Sequence, residues 1–245
     1  MTSTLAQVRA DIQAAANPRD AIFLQRFFKT GPGQYGEGDV FLGIRVPATR
    51  AIVRRHRDLP RADRLRLLKS KYHEERLVAL LLMVDAYRCG DEKERTRICR
   101  DYLVHSKYIN NWDLVDSSAE HIVGPELGKS VSEAKLVQLA RSKLLWDRRI
   151  AMLATFSWIK QNEFGPAIRM AELLQHDDQD LMHKAVGWML REVGKRDRPV
   201  LVKFLRRHCG TMPRTALRYA IEHFSAPDRR RYMRAGREAG KKGRE

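Results

Sequence analysis

Cysteine is scarce in this sequence, and its few cysteines have no metal-site spacing. Cys89, Cys99 and Cys209 are the three cysteines among 245 residues, and no two of them form a Cys-x-x-Cys pair. A sparse and odd count predicts free thiols in a reducing compartment. The eight histidines are scattered and form no His-Glu-x-x-His motif. We therefore expect no bound metal and no cofactor.

Long apolar runs and nucleotide-binding loops are absent as well. No run reaches the roughly 20 apolar residues that cross a bilayer, and the first residues show no apolar core of a signal peptide. These absences predict a cytoplasmic protein without a membrane partner. Residues 30–39 hold four glycines but have neither dinucleotide-binding nor Walker spacing. We expect a flexible connector there, which leads to a docked segment at residues 40–46.

Acidic residues are outnumbered by basic ones. The chain has 47 Lys and Arg against 30 Asp and Glu, which gives a formal net charge of +17. Such an excess predicts a partner with repeated phosphates, although a basic surface without a specific role is the alternative. The basic residues are spread along the chain instead of lying on one amphipathic helix, so a membrane surface is the weaker interpretation.

Strand-like alternation is also missing, and helical periodicity takes its place. Apolar residues recur every three or four positions, as in residues 77–84, 150–159 and 181–193, and proline or glycine separates these segments. Several of the prolines have the position expected for the first turn of a helix. The sequence therefore predicts an all-α protein.

The predicted core helices repeat along the chain. Successive helices are entered at positions 36, 37, 35 and 30 residues apart. These positions are Arg76, Trp112, Arg149, Lys184 and Arg214. This period is typical of stacked helix pairs, so we predict a HEAT-like or armadillo-type helical-repeat solenoid with a concave basic surface. An ordinary helix bundle with helices of similar length is the alternative.

The predicted solenoid occupies residues 1–227 as a single domain. Residues 228–245 hold eight Lys or Arg and three acids, with glycine and alanine between them. We expect this segment to be a flexible basic tail, either solvated without a specific role or tracking phosphates.

Residues 110–116, Asn-Asn-Trp-Asp-Leu-Val-Asp, are the most informative stretch. If they are helical, Trp112 and Asp116 lie about 40° apart on one face. Asn110 and Asp113 are explained as a capping box, but Asp116 lies a turn further into the helix. An acid beside an aromatic face in a basic protein predicts that Asp116 stabilises a cation generated on nucleic acid.

Equivalent positions in adjacent repeats lie roughly 10 Å apart, about one helix-packing distance. Trp112, Asp116, Arg149 and Trp188 are therefore predicted to line one cleft. The indoles attract cationic groups, and Arg149 grips a phosphate or orients Asp116. Core packing of the two tryptophans and a purely structural pair of Asp116 with Arg149 are the alternatives.

The other aromatic and basic side chains of these helices have simpler interpretations. Trp146 and Trp158 are predicted to be core residues. DNA contacts are predicted for basic residues at the repeat positions, namely Arg76, Arg148, Lys184 and Arg214.

Four strings of the sequence resemble the AlkD family of bacterial DNA alkylation-repair glycosylases. They are Phe-Leu-Gly-Ile-Arg-Val-Pro at 41–47, Trp-Asp-Leu-Val-Asp at 112–116, Trp-Asp-Arg-Arg-Ile-Ala at 146–151 and Lys-Ala-Val-Gly-Trp-Met-Leu-Arg-Glu at 184–192. The resemblance runs over most of the chain and implies that Trp112, Asp116, Arg149 and Trp188 form the active cleft. A tyrosine of the family falls here on Phe27 or on Phe28. We predict that Phe27 contacts DNA, with the packing preserved and the polar contact weakened by loss of the hydroxyl.

The resemblance also implies an activity without a cofactor. It implies a monofunctional glycosylase that excises cationic N3- and N7-alkylpurines from double-stranded DNA, with the lesion left stacked and Asp116 stabilising an oxocarbenium-like sugar. A non-catalytic binder of distorted or branched DNA is the alternative, and a scaffold for acidic peptides is a third interpretation. We expect a monomer in the bacterial cytoplasm, associated with the nucleoid when it is bound to DNA.

Overall fold

The regular structure of the described chain is helical. The computed structural model describes residues 2–128 and 133–242, with side chains as far as residue 235. Within these ranges there is no strand, and the one isolated β-bridge joins Val40 to Tyr72. The predicted all-α class is confirmed. The described chain divides into two compact units, with the boundary between Ile122 and Val123, and each unit is described by itself.

The first unit begins with helices that are capped by polar side chains. Its elements are α1 (Leu5–Ala14), α2 (Pro18–Gln25), α3 (Val46–Arg55), α4 (Arg61–Leu68), α5 (His73–Cys89), α6 (Glu92–Val104), a short 3-10 helix (Ser106–Tyr108), α7 (Trp112–Asp116) and the beginning of α8 (Ala119–Gly128), within which the boundary falls. Thr4 and Gln7 form a capping box at α1, and Asn17 and Asp91 cap α2 and α6. These caps satisfy backbone donors that a helix leaves unpaired at its start.

The second unit continues the same pattern. Its elements are α9 (Ala134–Ala140), α10 (Leu145–Ala154), α11 (Phe156–Ile159), α12 (Gly165–Leu174), α13 (Asp180–Arg196), α14 (Arg198–His208), α15 (Arg214–Ala220) and α16 (Ala226–Lys242). Pro166 and Pro199 lie in the first turns of α12 and α14, as Pro18 and Pro47 do in the first unit. The predicted use of proline at helix starts is confirmed at Pro18, Pro166 and Pro199.

Helices of the second unit pack as successive pairs. Helix α9 packs on α10, and α12 packs on α13, while α10, α13 and α15 also contact one another in that order. Helices α13 and α15 approach so closely that a Cβ on Gly187 would lie 2.5 Å from the carbonyl oxygen of Ala216. The predicted repeat positions 149, 184 and 214 fall on α10, α13 and α15, the three helices of this series. This arrangement is consistent with a helical-repeat fold.

The core of each unit is apolar and well covered. Helix α5 is buried from His73 to Val84 because α3, α4, α6 and α7 pack around it. In the second unit, Trp146 and Trp158 are buried, so their prediction as core residues is confirmed.

The predicted basic tail starts with an ordered helix. Helix α16 covers Ala226–Lys242 and packs on α15, and Tyr232 is buried with its ring edge against Phe224. The helix differs from the flexible tail that we expected, because Tyr232 gives this segment an apolar anchor. Residues 243–245 of the predicted tail lie outside the described residues. The domain boundary at residue 227 stays a prediction.

Candidate functional site

Helix α7 presents the two residues that the sequence singles out. It spans Trp112–Asp116, and both side chains are partly exposed. Since the segment is helical, Trp112 and Asp116 share one face, as predicted. The cap differs from the prediction: Asn111, not Asn110, accepts the Trp112 N–H at 2.8 Å. The Asp113 carboxylate contacts His73 and accepts the Leu114 N–H instead, so it makes no capping box.

Trp112 is the outermost ring of an aromatic stack. Its indole stacks on Phe28 at 5.3 Å between centroids, Phe28 stacks on Phe41 at 4.8 Å, and Phe41 stacks on His73 at 4.6 Å. The stack fixes the plane of the indole while part of Trp112 stays open to solvent. Phe27, in contrast, is 59% exposed and contacts Phe23 edge-on. Phe28 is therefore the residue that packs against Trp112, and the DNA contact predicted for Phe27 stays a prediction.

A buried ionic network lies beneath this stack. His73, only 3% exposed, places Nε2 2.7 Å from Asp113 Oδ2 and Nδ1 3.2 Å from Asp39 Oδ2. Asp39 also binds the Arg76 guanidinium at 2.5 Å and accepts the Asn111 side-chain N–H at 2.9 Å. The network joins the loop before α3, the start of α5 and the start of α7.

The charges of the network follow from this geometry. Burial lowers the pKa of His73, but the charges and hydrogen bonds of Asp113 and Asp39 outweigh burial and raise the pKa to about 9. Burial raises the pKa of Asp39, and His73, Arg76 and Asn111 together lower it below its usual value. At neutral pH the network therefore holds a histidine cation between two carboxylates.

The glycine-rich segment supplies Asp39 to this network. It is a series of hydrogen-bonded turns, including Gln34 N–H to Gly31 O at 3.0 Å and Asp39 N–H to Gly36 O at 3.1 Å. Gly36 is buried, and its N–H donates to Lys29 O at 2.8 Å. The Asp39 side chain thus ties the end of the segment to α5 and α7, and the flexible connector stays a prediction.

The segment 40–46 is docked, as predicted, and a buried carboxylate holds it. Glu74 accepts the backbone N–H groups of Leu42, Gly43 and Ile44 at 2.8–3.2 Å. Gly43 has φ of +80°, and a Cβ there would lie 2.1 Å from Asn17 O. Only glycine fits this backbone conformation and this close approach. The Phe-Leu-Gly-Ile string at 41–44 therefore fixes the position of Phe41, which belongs to the aromatic stack.

Asp116 lies at the last turn of α7, above a buried tyrosine. The Tyr102 hydroxyl lies 2.8 Å from Ser118 Oγ, two residues beyond Asp116. Burial raises the pKa of Tyr102 above its usual range, and the negative charge of Asp116 adds to that effect. Together, the Asp116 carboxylate and the Trp112 face form a surface that attracts cations by charge and by the ring quadrupole.

Two of the predicted cleft residues belong to the second unit. Arg149 on α10 is 4% exposed, and its Nη1 donates to Leu181 O at 2.7 Å. Trp188 on α13 is partly exposed and contacts Phe156 edge-on at 5.9 Å. Because Trp112 and Asp116 belong to the first unit, the convergence of all four residues stays a prediction.

Arg76 does not fit the DNA contact that we predicted for it. Its guanidinium is buried with the side chain 4% exposed, and it binds Asp39 and the Ser70 carbonyl oxygen. A phosphate would reach Arg76 only if this group left Asp39. Arg76 is therefore a structural residue of the network.

The other three predicted DNA contacts have different surroundings. Arg148 binds Asp177 and donates to the Ser142 and Lys143 carbonyl oxygens, so this guanidinium is largely occupied. Lys184 forms an exposed ion pair with Asp180 at 2.8 Å, which a phosphate can replace. Arg214 is partly exposed at the first residue of α15.

The described residues lack both a clustered set of metal ligands and a membrane-spanning helix. No group of three or more His, Cys, Asp or Glu is gathered there as a set of metal ligands. None of the helices described is both long enough and apolar enough to cross a membrane.

The family follows from comparison with known proteins. The family model described as DNA alkylation repair enzyme matches residues 8–224. The chain belongs to this family. Because the chain belongs to the DNA alkylation repair family, its role is in DNA repair and its substrate is DNA.

A solved structure supports the same fold. The protein is similar to a predicted DNA alkylation repair enzyme from Enterococcus faecalis, with a TM-score of 0.66 and 15% sequence identity. The match covers 86% of this chain and 97% of that one. At this identity the likeness supports the helical-repeat fold alone. No curated protein matches the chain.

Proposed function

We propose that the protein is a monofunctional DNA glycosylase of the AlkD type, which acts as a monomer on double-stranded DNA. Its proposed substrates are cationic purines alkylated at N3 or N7. The observation that carries the proposal is the pair of Trp112 and Asp116 on one face of α7, in a chain that belongs to a DNA alkylation repair family.

Excision of a cationic purine can be assisted by an ionised carboxylate, because the leaving base does not have to be protonated. An alkylated purine is already cationic, so it leaves readily when the N-glycosidic bond breaks. The sugar left behind has oxocarbenium character, and a preorganised carboxylate stabilises that charge. Asp116 is proposed to supply this charge and to position the attacking water. The partly exposed Trp112 face is proposed to lie against the lesion strand without enclosing the base.

The buried network is proposed to keep α7 in place during this step. Asp113, in the first turn of α7, is held by the His73 cation, and Asn111 ties the cap to Asp39. The Phe28 ring restrains the indole of Trp112 from the other side. A site held by such supporting contacts loses little free energy to reorganisation when charge develops.

Arg149 and Trp188 are proposed to complete the cleft from the second unit. In this role Arg149 grips a DNA phosphate or orients Asp116, and Trp188 adds a second aromatic face. Arg149→Ala is expected to weaken DNA binding and base release together. Asp116→Asn is expected to spare binding and to slow base release. Equal loss of binding in both variants would indicate a structural ion pair instead.

The experiment that tests the proposed function is a base-release assay. Wild-type protein is incubated with methylated duplex DNA, and free N7-methylguanine and N3-methyladenine are measured against a protein-free control. Release above the spontaneous rate supports a glycosylase. Tight, salt-sensitive duplex binding without release from any adduct in a panel would favour the non-catalytic DNA binder instead.

A further inference from the structure

A small cavity in the first unit is lined by four arginines. Arg50 and Arg54 lie on α3, Arg57 follows α3, and Arg88 lies near the end of α5. We call this cavity the arginine pocket. Arg50 and Arg54 are spaced four residues apart, so the helix places them on one face. The sequence carries this signal in the string from residue 50 to residue 57, which holds four arginines.

The charge in the arginine pocket is poorly balanced. Arg57 pairs with Asp85 at 3.3 Å, and Asp85 is the one acid that lines the pocket. In the part of the chain that the structure describes, no carboxylate forms an ion pair with Arg50, Arg54 or Arg88. Like charges that line one cavity repel one another, and an anion between them relieves that repulsion. The pocket is therefore suited to an anion.

Arg55, on the same helix, has an acidic partner that Arg50 and Arg54 lack within the described chain. Arg55, next to Arg54 on α3, binds Asp11 at 2.7 Å. On a different face of α3, Arg55 is thus neutralised by an acid of α1, while Arg50 and Arg54 have no such partner among the residues described. The pocket charge is a property of one helix face and does not simply follow from the basic composition.

The size of the cavity selects a small anion. Its volume is about 200 Å³, below the roughly 300–1,000 Å³ of sites for drug-sized ligands. A nucleotide with its base is too large for such a cavity, whereas one phosphate group is not. Guanidinium groups bind phosphate oxygens in a bidentate manner, and several can share one phosphate. Arg50, Arg54 and Arg88 are exposed, so a phosphate within a polymer can reach them.

The pocket lies beside the proposed active helix. Ser117 lines it and directly follows Asp116, and His121 of α8 lines it as well. We propose that the arginine pocket binds one backbone phosphate of the DNA strand that carries the lesion. This contact fixes the strand with its sugar near Asp116. The inference rests on the proposed function in that its ligand is duplex DNA.

The salt dependence of duplex binding tests the proposal. The affinity of an undamaged duplex is measured between about 50 and 200 mM salt for wild type and for Arg50→Ala/Arg54→Ala. A plot of log affinity against log salt has a negative slope, and loss of one phosphate contact should make that slope less steep by about 0.9. Affinity itself should fall roughly tenfold or more, as for a lost charge-assisted hydrogen bond.

The matched control removes the same charge elsewhere. Lys93 and Arg100 are exposed on α6, beside Asp91 and Glu92. Lys93→Ala/Arg100→Ala should keep the wild-type slope. An unchanged slope in Arg50→Ala/Arg54→Ala, or an equal decrease in the control, would overturn the proposal.

Two further arms separate the possible outcomes. Arg88→Ala, on a different helix, should reproduce the smaller slope and serves if the α3 variant does not fold. Inorganic phosphate is also added to wild type at constant ionic strength. If phosphate raises the melting temperature while the arginine variants bind duplex normally, the pocket takes free phosphate and the DNA assignment is wrong. Because the duplex is undamaged, this result is independent of whether the protein releases alkylpurines.

Discussion

Raising the pH from about 6.5 to about 9 is expected to destabilise the protein through His73. Although burial opposes protonation, Asp113 and Asp39 hold the pKa of His73 at about 9, against 6.5 for an ordinary histidine. In the unfolded chain the ring loses its proton near pH 6.5, whereas the folded ring keeps it to about pH 9. The stabilisation from His73 is therefore fully present below pH 6.5 and is lost as the pH rises through 9.

The size of the effect follows from the two pKa values. At about 1.4 kcal/mol for each pKa unit, a change from 6.5 to about 9 corresponds to about 3 kcal/mol of folding free energy. A typical domain has roughly 5–15 kcal/mol of stability in total, so the loss is large enough to measure.

Urea denaturation of wild type and His73→Gln at several pH values between about 6 and 9.5 isolates this contribution. The variant carries the same remaining titratable groups, so the difference between the two curves reports His73. We expect the wild type to lose about 3 kcal/mol relative to the variant across this range. The ring-proton resonances of His73 should titrate near pH 9. Parallel stability curves, or a ring that titrates near 6.5, would refute the reasoning.

Three substitutions are expected to lower stability, each measured by chemical denaturation. Gly43→Ala places a Cβ against Asn17 O at a positive φ, so we expect a loss of at least about 3 kcal/mol. Glu74→Gln weakens the carboxylate that three backbone N–H groups share, and we expect a loss of about 2–3 kcal/mol. Arg148→Ala leaves Asp177 buried without its guanidinium, which should cost about 3 kcal/mol.

Matched controls make these predictions specific. Gly165→Ala meets no atom within 4 Å beyond its chain neighbours at the start of α12, so it should cost far less stability than Gly43→Ala, even with Pro166 following it. Glu92→Gln and Arg141→Ala remove exposed charges and should change stability by less than about 0.5 kcal/mol. Equal losses in a control and in its partner would show that the named contacts are not the cause.

The features that the sequence predicts well depend on short-range patterns. Apolar spacing and prolines at helix starts were enough to predict the all-α class. Local helical geometry was enough to place Trp112 and Asp116 on one face. The burial of Trp146 and Trp158 follows from apolar periodicity as well, because these positions lie on the inward side of their helices.

The features that the sequence does not reveal depend on contacts between distant residues. Asp39 and His73 are 34 residues apart, and the glycine-rich loop has no periodicity that indicates a buried acid. Arg76 and Arg148 look like surface cations until their partners Asp39 and Asp177 are known. Asp113 looks like a capping residue for the same reason. Long-range charge pairing, which leaves no local pattern, is what sequence reasoning could not supply.

The measurement that most directly tests the role of Asp116 is the single-turnover rate of N7-methylguanine release from methylated duplex. Wild type and Asp116→Asn are compared at saturating protein, with duplex affinity measured in parallel. We predict that the variant binds DNA with nearly wild-type affinity and releases base about 100-fold more slowly, or slower still. Equal rates in the two proteins would contradict a role for Asp116 in the chemical step.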